Sequence, residues 1–303
     1  MRNTEGANVE SGPSRGLLAY YGVAPEQAYW SALWAREALQ RLLAVARRDP
    51  LTAHLRHYLP REGLVLEGGC GLGQYVALFS AEGYRLVGGD FSVAALAAHR
   101  RAQPALPLVA LDLLRLPFAD GVFGAHISLG VAEHAVDGPQ ALLRELRRTL
   151  APGGALLLGV VWMNGWRRLT APLVRRREAR KRAAGVPFYQ YAFSVAQLRG
   201  LLEQTGLRVL AMHPYSPALG LRDLPLGRAL VRLLRSLGQA RERSALVTTP
   251  AQASVAASGV VAPSAPWRVE AERPTGLRRV LYWGPVLAIC AHMVLVVAVK
   301  PEG

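Results

Sequence analysis

Cysteine is scarce in this chain: only two, Cys70 and Cys290, occur among 303 residues. Two cysteines cannot build a disulfide framework, and no Cys-x-x-Cys pair or His/Cys cluster suggests a zinc site. We therefore expect a reducing, cytoplasmic setting and no bound metal.

An apolar leader is also missing. Residues 1–15 are polar and rich in Gly and Ser, so they do not read as a signal peptide. We expect them to form a disordered leader.

Charged residues are absent from one long run, 280–299, which contains no Asp, Glu, Lys or Arg. That run is long enough to span a bilayer. However, Gly284-Pro285 would interrupt such a helix, and the β-branched residues of 294–299 favour a strand. We predict a short apolar helix followed by a buried C-terminal strand, with a membrane span as the alternative.

Acidic residues are few, 21 against 36 Lys and Arg, but the resulting net charge of +15 is local. Residues 166–182 carry eight basic and one acidic side chain, and residues 222–243 carry six and two. Residues 1–165 are nearly neutral, with 15 basic and 14 acidic side chains. The chain is therefore not cationic throughout. Its two basic segments suit RNA phosphates, an anionic amphiphile, a membrane surface or merely solvated helix faces.

Strands and helices are predicted to alternate from residue 64 onward. The apolar runs that predict strands lie at 64–67, 84–90, 106–112, 121–130 and 151–161. Continuous apolar strands separated by helices indicate an α/β fold whose parallel sheet is buried on both faces. Ahead of them, apolar positions at helical spacing predict one amphipathic helix over 25–48.

The segment 63–75, GLVLEGGCGLGQY, is dense in glycine directly after the first strand. It lacks the Lys and Ser/Thr of a phosphate-binding loop, and Gln74 stands where a dinucleotide fingerprint needs its third glycine. The pattern that remains is an acid, Glu67, followed by alternating glycines. It suits a ligand without phosphate that lies against bare backbone, or a plain tight turn.

This loop resembles the first motif of the class I S-adenosylmethionine-dependent methyltransferases, with a type 11-like methyltransferase domain. The other matching segments are Asp90 in GGDFS, LDLLRLPFADGVF at 111–123, SLGVAEH at 128–134, and the segments 141–158, 188–210 and 292–300. The sequence departs from the family pattern at Gly68, at Ala132 and in an insertion over 214–284.

The resemblance implies a Rossmann-like, doubly wound, seven-stranded sheet, mostly parallel with an antiparallel C-terminal strand and with helices on both faces. It implies S-adenosylmethionine as the cofactor, with Asp90 against the ribose hydroxyls and Asp112 near the adenine amino group. The residues that we predict to bind the cofactor are Glu67, Gly69, Cys70, Gly71, Gly73, Asp90, Phe91, Asp112, Leu113 and Leu129. Glu67 would provide a negative charge beside the cationic sulfonium. The loop has no lysine, and a cofactor without phosphate needs none. Both features agree with this assignment.

Several of these residues have a structural alternative. Asp90 could cap the following helix, and Asp112 could be an ordinary loop acid. Cys70 is expected to be a small buried residue and not a nucleophile, because nothing basic adjoins it.

The methyl acceptor leaves a weaker signal. His134 is a candidate general base, since its ordinary pKa suits removal of a substrate proton, or it only packs in its loop. Glu133 has the same two interpretations. Tyr20, Tyr21 and Trp30 belong to an aromatic cluster and are candidate substrate contacts, or ordinary packing residues.

We expect a methyltransferase domain with an N-terminal helical cap over 16–213 and 285–303. A basic insertion at 163–190 and a helical, low-complexity insertion at 214–284 would cover the substrate or contact a membrane surface. The expected function is O- or C-methylation of a small-molecule or lipid-like acceptor, in the cytoplasm or at the inner face of an anionic membrane.

Two alternatives remain for the function: an RNA or protein methyltransferase that uses the basic insertions, and a non-catalytic cofactor-binding protein. Nucleic acid is disfavoured, because the chain has neither an Asn/Asp-Pro-Pro-Tyr/Phe motif nor a catalytic Cys.

Overall fold

The computed structural model describes residues 16–102, 104–224 and 277–302. The expected leader at 1–15 and most of the expected insertion at 214–284 lie outside the described residues.

Nine strands occur in the described residues. They are β1 (Leu18–Tyr21), β2 (Leu64–Gly68), β3 (Arg85–Asp90), β4 (Leu108–Ala110), β5 (Phe123–Leu129), β6 (Leu150–Val161), β7 (Phe188–Ala192), β8 (Arg208–Tyr215) and β9 (Met293–Val299). Seven of them form one sheet in the order β4-β3-β2-β5-β6-β9-β8, and β1 pairs with β7 in a separate two-stranded sheet.

Strands β2 to β6 of the large sheet are parallel, whereas β9 runs antiparallel between β6 and β8. The expected fold class is confirmed: a Rossmann-like, doubly wound sheet that is mostly parallel and ends in an antiparallel strand.

Eleven α-helices accompany the strands in the described ranges. They are α1 (Gln27–Trp34), α2 (Leu39–Arg48), α3 (Pro50–Tyr58), α4 (Gln74–Ala81), α5 (Val93–Ala102), α6 (Gln140–Thr149), α7 (Gly165–Ala183), α8 (Val195–Gln204), α9 (Pro217–Gly220), α10 (Leu277–Leu281) and α11 (Gly284–Cys290). Short 3-10 turns cover Ala132–His134 and Leu221–Asp223.

The core lies in two layers, one on each face of the large sheet. Successive residues of a strand point to opposite faces. Val65 therefore packs in the layer that contains Phe79 of α4, and Leu66 packs in the layer that contains Leu146 of α6. All four side chains are fully buried. Apolar residues on both sides of β2 explain why its sequence reads as a continuous apolar run.

The prediction of a single helix over 25–48 is wrong. Helix α1 ends at Trp34 and α2 starts at Leu39, because Ala38 has an extended backbone with φ −112° and ψ 127°. Helix α2 buries Leu39 and Leu43 in the core, while α1 has no buried residue and carries Trp34 beside the glycine loop. One straight helix could not serve both positions.

The basic insertion expected at 163–190 forms α7 and the start of β7. Its one acid, Glu178, is buried and accepts hydrogen bonds from the Tyr21 amide at 2.9 Å and from Lys181 Nζ at 3.0 Å. Helix α7 is thereby fixed to β1. The N-terminal part is accordingly a strand followed by three helices, and not a purely helical cap.

The C-terminal segment forms α11 and then β9, as the sequence predicted for 280–299. Within the described ranges, no helix has both the length and the apolar character needed to cross a membrane. The insertion expected from 214 begins later, because β8 continues to Tyr215.

Candidate active site

A cavity of about 580 Å³ opens at one edge of the large sheet. The carboxyl ends of the parallel strands β2 to β6 meet at this edge, where open α/β sheets bind their ligands. Because β9 is antiparallel, its first residues reach the same edge. The predicted site residues that line the cavity are Trp30, Glu67, Gly69, Cys70, Asp90, Phe91, Asp112, Leu113, Leu129 and His134. The structure does not bring Gly71, Gly73, Tyr20 and Tyr21 to the cavity wall.

The glycine loop turns sharply between β2 and α4. Gly69, Gly71 and Gly73 have φ values of +75°, +54° and +68°, in the left-handed region that favours glycine. A Cβ atom on Gly71 would lie 2.5 Å from Trp34 Cζ2, and one on Gly69 would overlap the side chain of Val131. Only glycine lets the loop take this path so close to its neighbours.

Glu67 is the second-last residue of β2 and is almost completely buried. Its Oε2 accepts a hydrogen bond from the Val76 amide at 2.9 Å. Burial, with a contribution from the charge of Asp90, raises the pKa of Glu67 to about 8, although the Val76 hydrogen bond acts in the opposite direction. The carboxyl group is thus poised to ionise when a cation comes next to it.

Asp90 ends β3 and fixes the loop. Its Oδ2 accepts from the Gly71 amide at 2.8 Å, and its Oδ1 accepts from the Ser92 amide at 2.8 Å. Ser92 Oγ in turn accepts from the Ala95 amide at 3.3 Å, so Ser92 caps α5 as its position suggests. Each Asp90 oxygen keeps a lone pair that can accept a ligand hydroxyl.

Of the remaining predicted cofactor residues, Cys70 follows β2, Phe91 follows β3, and Asp112 and Leu113 follow β4. Phe91 is exposed, and its carbonyl accepts from Gln27 Nε2 of α1 at 2.6 Å. Asp112 is exposed, and its Oδ1 accepts from the Leu114 amide at 2.9 Å. Cys70 is buried, and burial raises the pKa of its thiol. The thiol therefore stays protonated, as expected for a residue that is not a nucleophile. Leu113 would touch any Cβ atom on Gly68, which accounts for glycine at this departure from the family pattern.

His134 lies beyond β5 in the 3-10 turn. Its Nδ1 is 2.8 Å from the Tyr189 carbonyl oxygen, and its ring packs edge-on against Trp30 with centroids 4.9 Å apart. Burial lowers the pKa of His134, although the carbonyl partially offsets this. The ring is therefore neutral near pH 7.

Glu133 stands next to His134 and is 1% exposed. Burial raises the pKa of Glu133 to about 8. Its Oε2 and Oε1 of Gln74 are buried without a hydrogen-bond partner among the described residues, and both residues line the cavity. Buried polar atoms normally have partners, so these two atoms await a ligand.

His292, directly before β9, lines the cavity although it was not among the predicted site residues. Its Nδ1 lies 2.7 Å from Nη2 of Arg167, a buried residue whose Nη1 also donates to the His292 carbonyl at 3.0 Å. Arg167 pairs with Asp223 at 2.8 Å. The position of His292 could have been predicted from the family resemblance. An antiparallel final strand puts the residue directly before it at the edge of the sheet where the ligand binds.

The aromatic residues predicted to contact the substrate lie in two different places. Trp30 lines the cavity and donates from Nε1 to the Pro25 carbonyl at 3.1 Å. Tyr20 and Tyr21 lie in β1, where the Tyr21 ring packs edge-on against Phe188 at 6.2 Å. Trp34, which was not among the predicted site residues, also lines the cavity.

The fold and this cavity define a class I methyltransferase architecture, and comparison with known proteins agrees. Residues 66–158 match the methyltransferase domain family. A demethylmenaquinone methyltransferase of Beutenbergia cavernae is 37% identical over 94 residues, which cover 31% of this chain and 39% of that protein. One of Mycolicibacterium paratuberculosis is 51% identical over 73 residues, which cover 24% of this chain and 30% of that protein. The chain therefore spans less than half the length of these curated relatives.

A solved structure extends the likeness of fold. It is a chain of a Haloferax volcanii complex between the Trm112 methyltransferase activator and a methyltransferase. The match covers 93% of this chain and 99% of that chain, with a TM-score of 0.53 and 19% identity. The match of residues 66–158 to the methyltransferase domain family confirms the resemblance to the class I S-adenosylmethionine-dependent methyltransferases.

The residues at the cavity fit S-adenosylmethionine, which carries two cationic groups, a sulfonium and an ammonium, against one carboxylate, and no phosphate. Five acids line the cavity, and no Lys or Arg does so among the described residues. The acids are Asp49, Glu67, Asp90, Asp112 and Glu133. Groups of three or more His, Cys, Asp or Glu side chains that could hold a metal ion are absent from the described ranges.

Proposed function

We propose that the protein transfers a methyl group from S-adenosylmethionine to an oxygen or carbon atom of a small, apolar, lipid-like acceptor. One observation carries this proposal: a single cavity joins the predicted cofactor residues Glu67, Asp90 and Asp112 to the candidate acid–base residues Glu133 and His134. A cavity of about 580 Å³ is within the range of small-molecule sites.

S-adenosylmethionine supplies a methyl group that its positive sulfur has already activated. Asp90 would accept hydrogen bonds from the two ribose hydroxyls, and Asp112 would lie near the adenine amino group, as in the family. Gly69 brings bare backbone to the cavity wall, against which the cofactor would lie. The main task of the protein is then to align the acceptor with the methyl group, since proximity and orientation supply much of the rate.

His134 would act where the acceptor is a hydroxyl. Nε2 of His134 would take the proton as the O–H bond of the acceptor breaks, and S-adenosylmethionine would supply the methyl group to that oxygen and keep the electron pair of the broken C–S bond on its sulfur. The neutral ring at pH 7 provides the necessary lone pair. Acceptors that react at a carbon atom could use the same group to remove the proton from a ring hydroxyl.

The apolar part of the cavity lining supports an apolar acceptor. Trp30, Trp34, Leu219 and Met293 contribute to its wall. The matched relatives are named for a small-molecule acceptor, demethylmenaquinone. We propose an acceptor of that general kind, a ring system with few charges.

Calorimetry with S-adenosylhomocysteine tests the cofactor site. We expect Asp90→Ala to weaken binding about 30-fold, because about 2 kcal/mol of hydrogen bonding to a carboxylate is lost. Asp120→Ala is the matched control, since Asp120 is 78% exposed and pairs with Arg148 outside the cavity. Unchanged affinity in Asp90→Ala would contradict the site, and no binding by the wild-type protein would exclude the enzyme.

Labelled methyl transfer into fractionated cell extract then separates the alternatives. Label in a small organic-soluble product supports the proposal, whereas label in RNA or protein supports a macromolecular acceptor. Cofactor binding without any labelled product supports a non-catalytic protein.

We also propose that α7 contacts an anionic membrane surface. Leu169 and Leu173, one turn apart, are 74% and 70% exposed. The exposed arginines on the same helix are Arg168, Arg175, Arg176, Arg177, Arg180 and Arg182. Exposed apolar residues among arginines are typical of helices that lie at an anionic interface.

Flotation with anionic vesicles tests this surface. We expect the wild-type protein to float with phosphatidylglycerol vesicles at low salt and to be released at high salt, because exposed charges are screened. Leu169→Ser with Leu173→Ser should reduce flotation, and Val45→Ser, an exposed residue on α2, should not. Recovery of the wild-type protein wholly in the aqueous fraction at low salt would contradict the proposal.

A further inference from the structure

Two histidines at the cavity, His134 and His292, have their ring protons fixed by neighbours. For His134, Nδ1 faces the Tyr189 carbonyl oxygen at 2.8 Å. A carbonyl can only accept, so Nδ1 carries the hydrogen. In the neutral ring the other nitrogen, Nε2, then has a free lone pair and can only accept a hydrogen bond from a ligand.

His292 has the opposite arrangement. Its Nδ1 lies 2.7 Å from Nη2 of Arg167, and a guanidinium can only donate. Nδ1 is therefore the bare nitrogen. Burial, together with the charges of Arg167 and Arg222, lowers the pKa of His292 to about 3, so the ring is neutral. Nε2 of His292 must carry the hydrogen and can only donate.

Both histidines line the same cavity, and no described residue hydrogen-bonds either Nε2. Building on the proposed function, we propose that Nε2 of His134 and Nε2–H of His292 form a two-point site for the methyl acceptor. The first accepts from an acceptor hydroxyl, and the second donates to a separate acceptor oxygen. Arg167 is the positioning residue that holds His292 in the donor tautomer.

The chemistry of the wall restricts that second oxygen to an uncharged one. Acids line the cavity, and Lys and Arg are absent from its lining among the described residues. Arg167 is already paired with Asp223 at 2.8 Å. A carboxylate or phosphate at His292 would meet one neutral N–H and no Lys or Arg among the described lining residues, whereas a carbonyl oxygen needs only one donor. The site therefore selects an apolar ring compound that carries one hydroxyl and one carbonyl group.

Long-range ¹⁵N–¹H NMR of the full-length protein tests the tautomers without any substitution in the molecule observed. We expect His134 in the Nδ1–H form and His292 in the Nε2–H form near pH 7. His134→Phe and His292→Phe serve only to assign the signals. The same tautomer in both rings, or a protonated His292, would overturn the proposal.

Binding of three matched probes to the S-adenosylhomocysteine complex tests the two contacts. Tetralin has neither group, 1-tetralone has a carbonyl, and 5-hydroxy-1-tetralone has both. We expect each added group to tighten wild-type binding about fivefold, the ratio that about 1 kcal/mol of hydrogen bonding gives. His292→Phe should abolish the gain from the carbonyl, and His134→Phe the gain from the hydroxyl.

His213→Phe is the matched control, because His213 bonds Tyr58 Oη at 3.0 Å outside the cavity. It should leave both ratios unchanged. Equal affinity of the wild-type complex for all three probes, or no binding of any, would overturn the two-point site. Retained S-adenosylhomocysteine affinity in that case would leave the cofactor site of the proposed function intact, so the two failures are distinguishable.

Discussion

Glu67 is held where a negative charge is poorly solvated. In the folded chain the Glu67 carboxyl group keeps its proton up to about pH 8, whereas in the unfolded chain it releases the proton near pH 4.5. Between these values the folded state binds more protons than the unfolded state, so the free energy of unfolding falls as the pH rises. Above about pH 8 both states are ionised and this contribution levels off.

Glu67→Gln removes this titration and keeps an oxygen for the Val76 amide. We expect the ligand-free variant to match the wild-type protein in thermal stability at about pH 5 and to exceed it at about pH 9. Thermal unfolding across that range is the measurement. Glu203→Gln, at a side chain 55% exposed, is the control and should follow the wild type. The pKa of Glu133 is also raised, and its titration changes the stability of the wild type and of Glu67→Gln alike. Parallel curves for the wild type and Glu67→Gln would contradict the assignment.

At the scale of elements, the stretch from β2 to β6 was predictable because each strand is a short apolar run followed by a turn. The run predicted at 84–90, for instance, became β3 over Arg85–Asp90. The acids at these strand ends were assigned through the family resemblance, and their positions agree with the general rule that parallel strands bring their carboxyl ends together.

Two other elements depend on contacts that the sequence does not display. Residues 35–38, AREA, contain no Gly or Pro, so helical spacing continues through the point where α1 ends. The break is set by Trp34 against the glycine loop and Leu43 in the core. Likewise, His292 reaches the cavity only because β9 is antiparallel, and its donor tautomer depends on Arg167, 125 residues away in the chain.

Arg167 connects α7 to the start of β9 and gives a prediction at this scale. Its Nη1 donates to the Trp162 carbonyl at 2.7 Å and to the His292 carbonyl at 3.0 Å. We expect Arg167→Met to lower the free energy of unfolding by about 2 to 4 kcal/mol, because buried acceptors lose a charged donor. We also expect the His292 ring to populate both tautomers and its pKa to rise.

Chemical denaturation measures the first effect, and ¹⁵N NMR of the folded variant measures the second. Arg199→Met, at an exposed arginine 3.8 Å from Glu203, controls for loss of a surface charge. A destabilised Arg167→Met protein with an unchanged His292 tautomer would show that Arg167 is structural only.

For the whole molecule, helix α1 adds Trp30 and Trp34 to the wall of a cavity that other elements otherwise build. None of its residues is buried. Its contacts with the rest of the fold are polar or between partly exposed rings. They include Gln27 Nε2 to the Phe91 carbonyl at 2.6 Å, Ser31 Oγ to Ser92 Oγ at 2.9 Å, the Trp30 ring against His134, and Trp34 beside Gly71. Segments with few buried apolar contacts open at low free energy. The cofactor would thus enter by displacement of α1, while the sheet stays closed.

Amide hydrogen exchange tests this view of the molecule. A ligand that binds only when α1 is closed stabilises the closed state. At a free ligand concentration of 100 times Kd this stabilisation is about 2.7 kcal/mol. We expect S-adenosylhomocysteine at that excess to slow exchange in α1 about 100-fold, since 1.4 kcal/mol corresponds to a factor of ten. Helix α3, which buries Leu51 and Leu55, should change far less. Asp90→Ala at the same concentration should show little protection of α1. Equal slowing in α1 and α3 would instead indicate that the fold opens only as a whole.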